Sequence, residues 1–157
     1  DEGVKVGIDT GNVEDMETKE SEDIDEVGVY KEIAKVMGNY LVRMEYKPED
    51  MVLQKYMIDE EQRMAVLFYT YGDEKIRYYM YMNSKDSSFG GKSVDDLIDE
   101  YEITTNGHNI SVKEYSIKGS EQKRYIADFE HKDIQYQIKG KLKREELDEI
   151  LKNLFFM

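Results

Sequence analysis

The chain has 157 residues, 39% of them hydrophobic and 36% charged, with a formal net charge of −13 and no cysteine. This length fits one domain, and the lack of cysteine excludes disulfides, thiolate metal sites and a cysteine nucleophile. Residues 1–26 carry eleven acids and two lysines, and the remaining 131 carry 24 acids against 20 bases, a balance that argues against nucleic acid, whose binding needs clustered cations.

Residues 1–24 are polar and acidic with few large apolar side chains. Such a segment cannot bury enough surface to offset its ordering entropy, so it reads as a flexible acidic leader or linker, with a short strand over Val4, Val6 and Ile8 as its one local signal. Residues 25–157 read as a single domain. Its first helix is expected over 25–37, where Val27, Tyr30, Ile33, Ala34 and Met37 recur at three- and four-residue steps. Asp25 is placed as N-cap and Gly38 at the C-terminal end, where a left-handed residue is needed.

A β-rich stretch follows, with strands expected over 41–46, 51–58, 64–71 and 75–82. Tyr71-Gly72-Asp73-Glu74 supplies a hairpin turn. Residues 83–92 read as a loop. Ser93 then opens a short middle helix, with Val94, Leu97, Ile98 and Tyr101 as its buried stripe. Strands over 103–105 and 110–117 flank Asn106-Gly107, the dipeptide that type I′ turns favour. Strands over 123–129 and 134–138 complete the series. A last helix is expected from Lys143 to Phe155, with Leu147, Ile150, Leu151 and Leu154 on one face. Short turns imply antiparallel neighbours, so the predicted class is α+β: a curved antiparallel meander with three helices packed on one face.

Candidate chemistry is sparse. His108 and His131 fall at separate turns, both read as exposed, and no third ligand converges on them, so no metal site and no cofactor is expected. Gly90-Gly91-Lys92-Ser93 echoes part of a phosphate loop but has Asp86 where the full pattern needs glycine. Ser116 and Ser120 sit in hairpin contexts without a nucleophile elbow. The acid pairs Glu60–Glu61, Asp95–Asp96 and Glu145–Glu146 fall at turns and first helical turns, where acids suit the dipole. Lys139, Lys141, Lys143 and Arg144 read as a solvated helix start, since Glu145 and Glu146 follow at once. No enzyme is expected.

Tyrosine is the unusual feature: thirteen, against five phenylalanines and no tryptophan. On two adjacent strands, alternation puts Leu67, Tyr69 and Tyr71 on one face and Met64, Val66 and Phe68 on the other, with Tyr79 and Tyr81 opposed to Tyr78, Met80 and Met82. Both faces of the hairpin are therefore partly apolar. Either the tyrosines pair across strands to stabilise the sheet, or Tyr69, Tyr71, Tyr79 and Tyr81 form a binding surface. A pocket lined by Met64, Phe68, Tyr78 and Met80 would instead make the protein a carrier of a hydrophobic ligand, in the style of lipoprotein carriers.

Residues 123–155 resemble the end of a bacterial family of domains of unknown function. The resemblance lies in a strand ending Tyr136-x-Ile138-x-Gly140 and a helix with Glu145, Glu146, Leu147, Ile150 and Leu154. Lys143 and Arg144 depart from the family pattern, which has a small capping residue there. The family occurs largely in Gram-positive bacteria, often after a transmembrane helix in membrane or anti-sigma-factor-like proteins. It implies that Gly140 permits a turn and that the leucines pack, and it carries no catalytic residue. What it implies in function is an extracytoplasmic sensing or binding domain for a protein, peptide or envelope ligand. Membrane attachment would come only through an anchor absent from this chain.

Overall fold

The computed structural model describes residues 24–82 and 95–157. Nearly all of the expected leader, the phosphate-loop echo and the start of the expected middle helix lie outside the described residues. Helix α1 spans Glu26–Met37 and buries Val29, Tyr30, Ile33 and Met37. Asp25 takes the N-cap position without a side-chain capping bond, and Gly38 ends the helix at φ +95° with its N–H donating to Ala34 O. Strand β1 (Val42–Met44) follows. Strands β2 (Met51–Asp59), β3 (Met64–Tyr71) and β4 (Glu74–Met82) come next. Then come β5 (Asp96–Thr105), β6 (His108–Ser116), β7 (Lys123–His131) and β8 (Ile134–Lys141). The described chain closes with α2 (Arg144–Lys152) and β9 (Leu154–Phe156).

The class is α+β, with two helices among the described residues rather than three. Seven strands form one antiparallel sheet in the order β2-β3-β4-β8-β7-β6-β5, and β1 and β9 pair separately. The sheet is not strongly curled, and it is two meanders joined at the β4–β8 seam rather than one continuous meander. Turn chemistry is as the residues dictate: Gly72 (φ +60°), Asn106 (+50°) and Gly107 (+77°) adopt left-handed conformations, as do Lys132 (+52°) and Asp133 (+67°) in the β7–β8 hairpin.

The expected middle helix is replaced by strand. Asp96–Thr105 pairs with β6 from Asp96↔Ser116 to Thr105↔His108, with a bulge between Leu97 and Asp99. Leu97 and Ile98, expected to be buried, are 47% and 50% exposed. Their three- and four-residue spacing was outweighed by the Asn106-Gly107 hairpin, which offers β5 a full ladder on β6. The last helix is likewise shorter than expected. It stops at Lys152, and Leu154–Phe156 turns into β9 against β1. Leu154 stays buried by pairing with Met44 rather than by extending the helical stripe.

Cross-strand partners share a face, so the register defines two surfaces. One row reads Tyr56, Leu67, Tyr78, Ile138, Ala127, Val112 and Tyr101 across all seven strands. Most of it, with the next row's Ala65, Met80, Tyr136 and Phe129, is buried in the same core as Tyr30 and Ile33 of α1 and Leu147 and Ile150 of α2. Gly140 lies within β8, next to its last residue, not in a turn: a Cβ there would stand 2.5 Å from Ile76 Cδ1 and 2.8 Å from Lys75 O. Glycine is needed because β4 approaches closely.

Candidate functional site

The tyrosines mostly serve the fold. Strand β1 has one neighbour, β9, and its groups pointing the other way need partners because they are buried. Tyr78 Oη donates to Val42 O at 2.6 Å, Val42 N–H donates to Tyr136 Oη at 3.1 Å, and Met44 N–H donates to Tyr30 Oη at 3.2 Å. Three phenols thus replace a missing strand. Tyr69 Oη donates to Glu26 Oε2 of α1 at 2.5 Å, and Tyr101 Oη to Asp148 Oδ1 of α2 at 2.8 Å. Burial pushes the phenols of Tyr30, Tyr69, Tyr78 and Tyr136 upward, so they remain protonated.

Tyr69, Tyr71, Tyr79 and Tyr81 do not form one surface. Tyr69 is buried in the core shared with the helices, and Tyr71 packs at its margin. Tyr79 and Tyr81 lie on the opposite face, against a second cluster of Met57, Met64, Val66 and Phe68. The same division separates Met64 and Phe68 from Tyr78 and Met80, so these four line no common pocket. Alternation along each strand had already placed Tyr69 and Tyr79 correctly. What it could not supply was the pairing Val66↔Tyr79 and Tyr69↔Ile76, which puts them on opposite sides.

The opposite face carries a pattern that sequence reasoning missed. One row runs Lys55, Phe68, Arg77, Lys139, Ile126, Lys113 and Glu100 across all seven strands. Lys139 is therefore a strand residue beside Arg77, not part of a helix start. Lys141 and Arg124 pair in a neighbouring row, where Arg124 meets Asp95 at 2.9 Å and Lys141 meets Glu74 at 3.3 Å. The Arg77 guanidinium lies 5.3 Å from the Phe68 ring centre, and its buried Nε has no hydrogen-bond partner. On the other side of that row, Gln137 Nε2 donates to Asp128 Oδ1 at 2.9 Å, and burial raises the Asp128 carboxyl above its ordinary value.

Lys143 takes the N-cap position of α2 without a side-chain capping bond. The work of holding this helix end falls to Arg144, which reaches Asp99 Oδ2 at 3.0 Å and Glu114 Oε1 at 3.2 Å and lies 3.8 Å over the Tyr101 ring. Glu114 also accepts from Tyr125 Oη at 3.0 Å.

His108 and His131, expected apart and exposed, are half-buried and in contact. His108 Nε2 and His131 Nδ1 are 3.1 Å apart, and the Phe156 ring stacks on His108 at 4.0 Å. The signal was legible: His108 opens β6, His131 closes β7, and antiparallel pairing brings those ends together. Among the described residues no group of three or more histidines and acids is placed to hold a metal ion, and no helix is long and apolar enough to cross a membrane. The acid pairs are not brought together: Glu60 and Glu61 lie in the β2–β3 turn, Asp96 begins β5, and Glu145 and Glu146 sit in the first turn of α2. Ser116 ends β6, and Ser120 accepts from Gln122 N–H in a turn.

The chain is thus an α+β domain with one sheet face joined to its helices and the other bearing a cationic, partly aromatic row. It belongs to the family described as a domain of unknown function, DUF4367, whose profile matches residues 41–154. No curated protein and no solved structure matches it.

Proposed function

We propose that this domain is a non-catalytic binding module. It is displayed outside the cytoplasmic membrane as part of a longer, membrane-anchored protein of sensing or anti-sigma-like type, and takes an acidic peptide segment of a partner protein on the opposite face of its sheet. The extracytoplasmic and Gram-positive setting rests on the resemblance of residues 123–155. The binding reading rests on one observation: the row Lys55, Phe68, Arg77, Lys139, Ile126 and Lys113, which sets four cations beside two apolar side chains at strand spacing before Glu100 ends it.

A carboxylate-bearing segment in extended form matches these charges, which flank the buried Phe68 and Ile126 at strand-to-strand spacing. Arg77 supports this choice, because its guanidinium lies over Phe68, 5.3 Å from the ring centre, and a guanidinium is a fork suited to carboxylate.

The test is a titration of the labelled chain with a short peptide alternating glutamate and leucine, followed by amide chemical shifts. Shifts should concentrate on Phe68, Arg77, Lys139 and Ile126, weaken with salt, and vanish in the Arg77→Glu/Lys139→Glu variant. Shifts confined to α1, α2 or β1, or binding of anionic vesicles with none of the peptide, would overturn the reading.

A further inference from the structure

Three contacts of the histidine pair fix where its protons sit. His108 Nδ1 is 2.9 Å from Asn106 O, and His131 Nε2 is 2.9 Å from Met157 O. A peptide carbonyl oxygen only accepts, and so does an oxygen of the ionised α-carboxylate that Met157 carries in the 157-residue chain, so both of these outer nitrogens carry hydrogen. A neutral imidazole has one ring hydrogen, so in two neutral rings the inner nitrogens, His108 Nε2 and His131 Nδ1, would face each other as lone pairs across 3.1 Å. One added proton between them converts that repulsion into a charge-assisted hydrogen bond. Two added protons would set N–H against N–H. The contact geometry is satisfied in full by a pair holding one proton in excess of neutral.

We propose that His108 and His131 share a single proton, and that this proton locks the C-terminal strand β9 onto the end of the main sheet. The connection is direct. His131 holds the Met157 main-chain oxygen, while the Phe156 ring stacks on His108 at 4.0 Å and meets His131 edge-on at 5.3 Å. An aromatic face against a charged imidazole favours the protonated pair. Asn106 ties the same chain of bonds to the β5–β6 turn.

The charged groups on the surrounding elements are the α-carboxylate of Met157 (which favours charge on His131), Glu130, Lys132 and Asp133 of the β7–β8 hairpin, Lys152 at the end of α2, and Arg43 of β1, whose guanidinium lies 5.2 Å from the Phe155 ring centre on β9. Lys132 is drawn away over the Tyr40 ring, 4.9 Å from its centre. Lys152 contributes its main-chain oxygen to Thr105 Oγ1 at 3.3 Å, so the carbonyl end of α2, which favours positive charge, lies at the same turn as His108. Strand β9 brings no charged side chain.

The sign follows from proton counting. Docked β9 goes with the singly protonated pair, and released β9 leaves two independent rings. Docking therefore weakens as pH rises and the shared proton leaves, and weakens again in acid when the second ring is charged. The lock has a maximum between these limits.

The reporter is hydrogen exchange at Met157 N–H, which donates to Leu41 O at 3.3 Å, measured on the whole 157-residue chain and expressed as protection relative to the unfolded rate. Protection should pass through a maximum and fall by about tenfold on its alkaline side, the effect of losing one such bond. His108→Phe keeps a ring stacked on Phe156 and removes the inner nitrogen, so the acid-side fall, which needs two charged rings, should disappear and the maximum with it. Ring nitrogen–proton correlation spectra of the unmutated chain give a second reading: three ring N–H groups over the two residues at the maximum. Two ring N–H groups there, protection indifferent to pH, or the unmutated profile persisting in His108→Phe would each overturn the proposal.

Discussion

Replacing Tyr78 by phenylalanine removes one oxygen and little else. The ring keeps its place between Phe129 and Tyr136, whose centres lie 6.5 and 5.9 Å away. What is lost is the donor to Val42 O at 2.6 Å. Val42 is fully buried, so water cannot take over. Its main-chain groups face away from β9, because the flanking Leu41 O accepts from Met157 N–H and bonding alternates along an antiparallel pair. A buried acceptor left without a partner costs about 1–3 kcal/mol, so Tyr78→Phe should destabilise the domain by about 2 kcal/mol. With a urea slope of roughly 1–3 kcal/mol/M for a domain this size, the midpoint should fall by about 1 M, with the slope unchanged. Urea titration followed by far-ultraviolet circular dichroism measures this directly. Tyr40→Phe, at a ring 58% exposed, is the control and should shift the midpoint hardly at all. A Tyr78→Phe loss no larger than that of Tyr40→Phe would refute the account of phenols as substitutes for a third strand.

Other outcomes follow from the same geometry. Gly140→Ala should cost roughly 2 kcal/mol or more in the same titration, because the new methyl meets the Lys75 carbonyl of the neighbouring strand, which cannot turn aside. Ile98→Lys should change stability by less than about 0.5 kcal/mol, since Ile98 is on an exposed edge strand; a loss several times larger would restore the buried helical stripe. Asp128→Asn should stabilise the fold near neutrality. The folded state holds the Asp128 proton more tightly than the unfolded state, so its carboxylate costs stability above the folded value, and that cost disappears as pH falls toward the ordinary 3.8. The variant keeps an acceptor for Gln137 and should lose this segment of the pH dependence of thermal unfolding.

Much of the fold was legible because local and global signals agreed. Met64–Tyr71 was read with its observed bounds, since alternation, aromatic content and the Gly72-Asp73 turn all point to a strand. Residues 96–101 were misread because their apolar spacing suits a helix, and only the register on β6 shows that Leu97 and Ile98 are outside. Strand β9 is three residues long, too short for alternation to register, and its identity depends on β1, more than a hundred positions earlier. The cationic row was invisible for a similar reason: its members come from seven strands, and no window of sequence contains two of them side by side. Tyrosine abundance was read as cross-strand pairing or a binding surface, whereas the unpaired side of β1 is what three of the six buried phenols serve.

The central seam carries a consequence for how the molecule reaches this state. β2, β3 and β4 close on one another through short connections, as do β5 to β8. The pairing of β4 with β8 joins Met82 to Ile134 and Ile76 to Gly140, residues 52 and 64 positions apart. Within the seven-stranded sheet, contacts of that separation carry the largest loop-closure entropy, and contacts of this kind slow folding. The two meanders can therefore organise quickly and separately, and the slow event is their zipping at β4–β8. Gly140 stands on that seam, so its lack of a side chain eases the last step of assembly as well as the packing of the finished sheet.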